Sequence, residues 1–396
     1  MSTKTELDAD ELLIERQDAL AAVAAMPDDG VLNETRAWFS RFIVTQKQSD
    51  LDVLALWTLH TYLLNMLPVS PRLVVDSLMP GSGKTTTLEH LDRLCHAPTL
   101  ASAFGSAAMI PRMIDAAGDA SLSLLIDEVD RTLDPTKDGV GDLLAVINSG
   151  YKPGATRPVL IPDKKDGWRA AAMGTYAAIA MAGNSPKLPD DTKSRSIPIF
   201  LLPDIDGSAD ETDWVSDDTL AEQAAALHGK LDAWASIHAE RVQAAKPVLP
   251  TRCRNRAKER WVSFAKIAAV AGGHWPDKVN ALIEADLDRE EAERADGING
   301  LPPKAKLLRD LMAVFGERES MPTTEIVAKL AAYNSEEWGL ASPYGKPITR
   351  QRLAKMMSPL GIHSVRSYDN GAKTPRSYLR ADIAKVADSL HLPTLT

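Results

Sequence analysis

The chain has 396 residues, 44% of them hydrophobic and 25% charged, with a formal net charge of −9; that length holds two or three domains, and that composition excludes a disordered or fibrous protein. The acidic balance excludes a protein that coats nucleic acid over its whole surface. Two cysteines, Cys95 and Cys253, give no zinc or disulfide framework and suit a reducing cytoplasm.

Residues 5–68 read as three helices. Asp8–Met26 stops at Pro27-Asp28-Asp29-Gly30, Glu34–Lys47 offers Trp38 and Phe39 to a core, and Leu51–Leu67 ends at Pro68. The last is strongly apolar, but Asp52, His60 and Asn65 mark it as a buried helix rather than a membrane span. The acidic start MSTKTELDADELL is no signal peptide, so a cytoplasmic protein without a membrane partner is expected. Residues 72–203 alternate strands and helices, the pattern of a parallel α/β sheet with helices on both faces. Leu202–Asp218 reads as a surface loop. Residues 217–295 are helical, broken at Pro247–Pro250 and Gly272-Gly273, and Gly297–Pro303 reads as a linker. Residues 304–396 form a small helix-rich segment with a hairpin. The predicted domains are an N-terminal helical region (1–68), an α/β core (69–205), a helical lid (206–298) and a winged-helix-like domain (299–396).

The core prediction rests on residues 72–86. Arg72–Ser77 is an apolar β run, Pro80-Gly81-Ser82-Gly83 a glycine-rich turn, and Lys84-Thr85-Thr86 opens a helix. Strand, loop and helix in that order form a phosphate cradle, in which backbone N–H groups of the loop and helix N-terminus point at the phosphates of ATP. Lys84 adds a point charge and the Thr85 hydroxyl a ligand for Mg²⁺. Leu78 occupies the position where the pattern GxxxxGK[ST] has its first Gly; Pro80-Gly81 can ease the turn instead.

Further elements turn a phosphate loop into a hydrolytic site. Ser121–Ile126 is an apolar strand ending in Asp127-Glu128: a carboxylate there holds Mg²⁺, and the next one polarises the attacking water, so Asp127 takes the metal and Glu128 the general-base role. Ala177–Ala182 is a second buried strand, ending in Gly183-Asn184; Asn184 would position the water, as in additional-strand ATPases where these two strands are neighbours. The alternative is that Asn184 caps a turn. Arg195, before the strand Ile197–Leu201, sits where ring ATPases send an Arg finger to the neighbour's γ-phosphate. Lys193 is the reserve, and a surface Arg paired with Asp190 or Asp191 the alternative. Pro158–Pro162 and Trp168–Ala172 flank Asp163-Lys164-Lys165-Asp166-Gly167, a hairpin signal. In hexameric helicases a hairpin at this place projects into the central channel, where Lys164 and Lys165 would grip DNA phosphates, with Arg157 and Arg169 at its base; a decorated surface loop is the alternative. Arg252, Arg254, Arg256 and Arg260 cluster before Trp261, and Arg256 is the favoured lid sensor of the γ-phosphate.

Lys84, Asp127-Glu128 and Asn184 together resemble the AAA+ superfamily, and the hairpin before the sensor strand resembles its superfamily 3 helicase branch. More narrowly, ALWTLHTYLLNMLPVSPRLVVDS (55–77), PGSGKTTTLEHLDRL, LPDDTKSRSIPI (188–199), RAKERWVSFAKIAAVAGGHWP (256–276) and PITRQRLAKMMSPLGI (347–362) resemble an uncharacterised ATPase family of actinobacterial phages and mobile elements, often linked to primase-polymerases. The resemblance implies a ring, expected to be a hexamer, in a bacterial host cytoplasm. Residues 1–50 are too short for a primase, so a separate primase or polymerase is an expected partner.

The tail is basic: residues 301–396 hold 14 Lys and Arg against 9 Asp and Glu, leaving about −14 for the rest. Lys304–Phe315, Pro322–Tyr333 (with Thr323-Thr324 and Glu325 as an N-cap pattern) and Thr349–Leu360 read as helices. Val365–Tyr368 and Ser377–Arg380 read as strands around Asp369-Asn370-Gly371. Three helices and a hairpin describe a winged helix, with Arg350, Arg352 and Lys355 on the third helix and Arg366, Lys373 and Arg376 on the wing, all candidate duplex DNA contacts; a solvated basic face is the alternative. The expected function is an ATP-driven DNA translocase, a ring-forming phage or mobile-element replicative helicase with single-stranded DNA in its channel. The alternatives are a replication initiator or helicase-loader ATPase, a phage-defence or exclusion ATPase, and a nucleotide-bound DNA-binding regulator.

Overall fold

Alternation of apolar side chains along short strands decides the architecture of residues Met1–Leu287, the first of two compact units. The structure is a computed structural model that describes residues 2–104, 106–118, 121–163, 167–295, 303–342, 345–366, 368–369, 372–373 and 375–390. Three helices, α1 (Ser2–Ala24), α2 (Gly30–Phe42) and α3 (Ser49–Thr61), precede β1 (Arg72–Ser77) and α4 (Lys84–Leu94). Then come β2 (Pro98–Ala101), α5 (Met109–Ala117), β3 (Ser123–Ile126), the single turn α6 (Val129–Thr132) and α7 (Val140–Ser149). The hairpin β4 (Thr156–Asp163) and β5 (Gly167–Gly174) leads to β6 (Ala178–Asn184), α8 (Asp190–Lys193) and β7 (Ser196–Phe200). Three long helices follow: α9 (Asp218–Ala244), α10 (Asn255–Ala271) and α11 (Trp275–Ala295).

The sheet is parallel throughout, in the order β2–β3–β6–β1–β7. Successive side chains of a strand point to opposite faces. Leu73, Val75, Leu125, Ala180, Ala182, Ile197 and Ile199 therefore share one core with α2–α4 and α9–α11. Val74, Leu124, Ile126, Ile179 and Met181 share another with α5 and α7. Both faces are covered, which is why these strands read as continuous apolar runs. As the sequence leads one to expect, the Asp127 strand and the Asn184 strand are neighbours.

The second helix is shorter at its end than expected. It stops at Phe42 because Thr45 forms an antiparallel bridge with Leu201 and the Gln46 N–H donates to Phe200 O at 2.8 Å, so residues 43–47 extend the free edge of β7. Arg72 is fully buried, and its guanidinium donates to three backbone carbonyls, those of Ile147, Ala177 and Ser70. It ties the start of β1 to the end of α7, and burial holds its pKa down to about 9.

Two buried histidines make this unit acid-sensitive. His60 has Nδ1 at 2.8 Å from Trp57 O and Nε2 at 3.0 Å from Ser70 Oγ; His90 accepts from Trp38 Nε1 at 3.1 Å and reaches Thr212 Oγ1 at 3.1 Å. Each set of partners suits a neutral ring with one donor and one acceptor. Burial pushes His60 down to about 4 and His90 down to about 3, whereas an unfolded chain titrates near about 6.5. Below that value the unfolded chain takes up protons that the fold refuses. The stabilisation is complete above pH 6.5 and is lost as pH falls toward 4. The thermal midpoint should fall steeply over this interval, and less steeply in His90→Gln, as scanning calorimetry would record. A flat profile would contradict the assignment.

The second unit, Asp288–Thr396, comprises α12 (Pro303–Phe315), β8 (Ser320–Pro322), α13 (Thr323–Tyr333), the turn α14 (Ser335–Trp338), α15 (Arg350–Met357), β9 (Tyr368–Asp369), β10 (Ala372–Lys373), β11 (Ser377–Leu379) and α16 (Arg380–Ser389). β9 pairs with β10 and β11 with β8, all antiparallel, with a bridge between Val365 and Ser377. Helix, strand, two helices and hairpin follow in winged-helix order. Leu307, Leu311, Phe315, Ile326, Leu353 and Ile383 form its core. Within it the buried Asp310 accepts from Trp338 Nε1 at 2.7 Å and Asn334 Nδ2 at 3.2 Å. The N-cap pattern at Thr323 is corrected: Pro322 holds that position, and Thr323 Oγ1 instead donates to Arg376 O at 2.8 Å, while Glu325 pairs with Arg318. Thr349 does cap α15, accepting from the Arg352 N–H at 3.1 Å. The linker expected at 297–303 lies outside the described residues apart from Pro303, as does the turn at Asn370-Gly371.

Candidate nucleotide site

The end of β1 turns into α4 through a loop that needs glycine at two places. Gly81 and Gly83 have φ of +79° and +80°, the left-handed region, and a Cβ at either would meet nothing within 4 Å. The two glycines thus serve the backbone turn and leave an open concavity. Leu78 needs no such conformation, since it is not among the positive-φ residues, and its side chain is 75% exposed. That is the physical reason a leucine can stand where the common pattern has glycine.

Lys84, only 9% exposed, folds back across this loop. Its Nζ donates to Ser77 Oγ at 2.6 Å, Asn184 Oδ1 at 2.8 Å and Met79 O at 3.3 Å. The hydrogen-bonded acceptors are all neutral oxygens, so an anion entering the loop would meet an ammonium with no directly bonded counter-charge. Ser82 Oγ donates to Met79 O at 2.9 Å and shapes the turn. Pro80 and Thr86 lie in the loop and the first turn of α4, where they were expected.

The two predicted magnesium ligands meet: Thr85 Oγ1 donates to Asp127 Oδ2 at 2.9 Å across the gap between α4 and β3. Glu128 follows in a left-handed conformation, φ +53°, which is rare for a residue with a side chain. Its N–H donates to Asp127 Oδ1 at 2.8 Å, and its exposed carboxylate lies 3.3 Å from Arg131 Nη1. The strained backbone turns the chain off β3 at once and leaves the carboxylate facing solvent.

Several site residues were not singled out in the sequence. Ser77 joins Asn184 in holding Lys84. Asp130 Oδ1 accepts the Asn184 N–H at 3.1 Å, and a Cβ on Gly183 would sit 2.8 Å from that same oxygen, so glycine lets β6 and α6 close together. Asp76 Oδ1 accepts the Ser185 N–H at 2.8 Å, and burial lifts its carboxyl above the usual range. A lone polar residue at a strand end is the only trace these leave in the sequence.

Arg195 lies at the other end of the sheet. Its carbonyl accepts the Arg72 N–H, and Ser196 pairs with Arg72 at the start of β1, whereas Asn184 pairs with Ser77 at its end. Five residue steps along β1 put about 17 Å between these edges. The guanidinium donates to Asp191 O, and its Nε is buried with no hydrogen-bond partner among the described residues. Lys193, exposed, ends α8 nearby.

Arg256, the favoured lid sensor, lies in the first turn of α10. It does not reach its own chain's phosphate loop, because the first turn of α10 packs against Tyr151, whose carbonyl accepts the Ser70 N–H below β1. Arg256 pairs with Glu259 and lies 5.9 Å from the Tyr151 ring centre. Glu259 also takes Lys152 Nζ at 2.7 Å; that bond first, then Arg256, Lys152 and Arg195 nearby, hold its carboxyl below the usual range. Arg195, Arg256 and Lys152 thus gather at one edge. The other arginines of the run are engaged elsewhere: Arg252 with Glu284, Arg254 with Thr251 O, and the buried Arg260 with Asp286.

Among the predicted DNA contacts, Lys164 and Lys165 lie outside the described residues. The hairpin that carries them is present, with Asp163 opposite Gly167. At its base Arg157 is occupied by Asp142, 3.3 Å away. Arg350 and Lys355 are exposed on α15, whereas Arg352 is half-buried with its guanidinium 5.8 Å from the centre of the Trp338 ring. Among the described residues no helix is long and apolar enough to cross a membrane.

Comparison with known proteins gives limited matches. The family described as "Protein of unknown function (DUF3631)" matches residues 210–389, less than half of the chain. An "Uncharacterized 28.9 kDa protein in xis 5'region" of Saccharopolyspora erythraea is 28% identical over 158 residues, which are 39% of this chain and 56% of that protein. Among solved structures, the apo NrS-1 C terminal region is 11% identical with a TM-score of 0.39, covering 86% of this chain and 77% of that one. JCV helicase is 13% identical with a TM-score of 0.31 over 70% and 72% of the two chains. The Thermotoga maritima RuvB Holliday junction branch migration motor is 13% identical with a TM-score of 0.25 over 90% and 100%. At these values the sheet order and the geometry around Lys84 carry the account of the site, and the likenesses add no argument to it.

Proposed function

We propose that this protein binds and hydrolyses ATP at boundaries between subunits of a ring, a hexamer, and uses the turnover to move along DNA as a phage or mobile-element replicative helicase does. The observation that carries the reading is the separation of charges in one subunit. Lys84, Thr85, Asp127, Glu128 and Asn184 converge at one end of the parallel sheet, and Arg195 lies at the other. An Arg about 17 Å away by strand length cannot serve the same chain's phosphates, but it can serve a neighbour's in a head-to-tail ring.

In this reading the loop amides and Lys84 hold the β- and γ-phosphates, and Ser77 and Asn184 keep the ammonium in place before the nucleotide arrives. Thr85 and Asp127 are the protein's ligands for Mg²⁺, which when bound neutralises charge on the phosphate oxygens. Among the described residues no cluster of three or more His, Cys, Asp or Glu would hold a metal unaided, so the nucleotide itself would supply the remaining oxygens, the usual situation for Mg²⁺. Glu128 orients and deprotonates the attacking water. Arg195, and Arg256 beside it, face the nucleotide of the adjoining subunit.

A replication initiator or helicase loader is the second reading. It is favoured by the winged-helix order of the tail and the exposed Arg350 and Lys355 on α15, a helix suited to the major groove of duplex DNA. One experiment separates the two. For a translocase, ATP turnover should rise several-fold with single-stranded DNA, and a labelled strand should be displaced from a forked duplex. For an initiator, duplex binding would occur without displacement. Turnover indifferent to any DNA would remove both.

A further inference from the structure

The strand that carries Asn184 outlasts its neighbour. β3 ends at Ile126, opposite Met181, whereas β6 runs on to Asn184. In a parallel ladder every second N–H of a strand points to the same neighbour. The Ala178 N–H donates to Leu122 O, so the N–H groups of residues 180, 182 and 184 point toward β3 as well. By that register the carbonyl due to meet the Asn184 N–H is that of Glu128. The left-handed backbone at Glu128, φ +53°, has already turned the chain into α6, and its carbonyl accepts the Arg131 N–H at 2.9 Å instead. The side chain of Asp130 supplies the missing acceptor: its Oδ1 takes the Asn184 N–H at 3.1 Å. The fit is close, since a Cβ on Gly183 would lie 2.8 Å from that oxygen and 2.9 Å from the Asp130 N.

On the other edge of β6 the Ser185 N–H donates to Asp76 Oδ1 at 2.8 Å. The amides of Asn184 and Ser185 are thus each held by a carboxylate, one from α6 and one from β1. Together they aim the Asn184 side chain, whose Oδ1 accepts from Lys84 Nζ at 2.8 Å and from Ser77 Oγ at 3.2 Å. The exposed Glu128 carboxylate pairs with Arg131 of the α6 turn, so its place is set by that turn. Val129 buries the turn, and Asp130 aligns it with β6. We infer that Asp130 is a positioning residue that holds Glu128 and Asn184 as one rigid unit, so that the base and the side chain that orients the attacking water keep a fixed separation. Its negative charge is not required for this, because only an acceptor oxygen reaches the amide. The inference rests on the proposed hydrolysis of ATP and names the group that sets the geometry of the attack.

The test uses the full chain, with turnover at saturating ATP and equilibrium binding of a fluorescent ATP analogue as readouts. Asp130→Ala should lower kcat by about 10²-fold, the effect of displacing a reacting group by about 1 Å. Analogue affinity should stay that of the wild type, because Lys84, Thr85 and the loop amides are untouched. Asp130→Asn keeps an acceptor oxygen and should retain most of the turnover. Gly183→Ala drives a Cβ against the same oxygen and should reproduce the loss with Asp130 still present, which keeps the test open if Asp130→Ala does not fold. In a Glu128→Gln background Asp130→Ala should lower turnover little further, since residues that act as a unit are strongly non-additive. If Asp130→Asn falls as far as Asp130→Ala, the charge itself takes part in the reaction and the positioning role is overturned. It is overturned too if Asp130→Ala loses analogue affinity along with turnover, which would make Asp130 a support of the binding loop. If Glu128→Gln lowers turnover and Asp130→Ala leaves it unchanged, the inference is wrong while the proposed function stands. If the wild type does not hydrolyse ATP, the proposed function falls and the inference with it.

Discussion

Glu128→Gln is expected to lower ATP turnover by about 10²–10⁴-fold, the usual contribution of a positioned general base, while ATP affinity stays close to that of the wild type. Glutamine keeps the size of the side chain and the left-handed backbone at this position, so the fold between β3 and α6 is preserved and only the basic oxygen is lost. Lys84→Ala is the matching control with the opposite signature. It removes the ammonium that Ser77 and Asn184 hold in place, so binding itself should fail. Equilibrium binding of a fluorescent ATP analogue and single-turnover hydrolysis together read both effects. Glu128→Gln with undiminished turnover would remove Glu128 from the role of base and point to Asp130, two residues on, which now holds the Asn184 backbone.

The second large effect belongs to Arg195. Arg195→Ala should reduce turnover by about 10³-fold or more, in the range of an arginine finger, without loss of ATP binding. Its diagnostic consequence appears on mixing. Arg195→Ala subunits have an intact Lys84, and Lys84→Ala subunits have an intact Arg195. In a mixed ring with random order, about a quarter of the boundaries would pair the two intact halves, and turnover should return in proportion. Mixing restores nothing if Arg195 acts within its own chain. Arg256→Ala mixed with Lys84→Ala asks the same of the residue that the structure places beside Arg195, with Glu259 and Lys152. Recovery there would make Arg256 a second contributor across the boundary, and a turnover defect without recovery would leave it a structural partner of Glu259.

The local parts of this site were legible in the sequence because local chemistry dictates them. A turn that must adopt positive φ twice selects glycine, and Gly81 and Gly83 were visible for that reason. A strand buried on both faces must be apolar along its length, so β1, β3 and β6 stood out within a residue or two of their ends. Lys84, Thr85, Asp127 and Asn184 each follow directly from such an element, and the structure brings all four together. The edge strand β2 was missed because its residues, Pro98–Ala101, are only partly buried and carry no strong pattern. In the tail, β8 was missed because a strand of three residues is too short for alternation to register.

By itself, then, the sequence determined the order of the elements, the phosphate loop and the carboxylates at the strand ends, since these depend on backbone conformation and on burial along a single segment. Only the tertiary structure decided which side chains separated in sequence face one another. Whether Asn184 capped a turn or reached Lys84 depended on the strand order, which sets β6 beside β1. Whether Arg256 approached the phosphate loop or the opposite edge depended on where α10 packs, and Tyr151 and Glu259 settle that. Arg72, which sequence alone reads as the first residue of an apolar strand, is a buried tie between β1, α7 and β6. The physical reason is common to these cases: hydrogen bonds and ion pairs between distant segments form only after burial of the apolar faces has fixed the register and neighbours of the strands, and neither is written in any one segment.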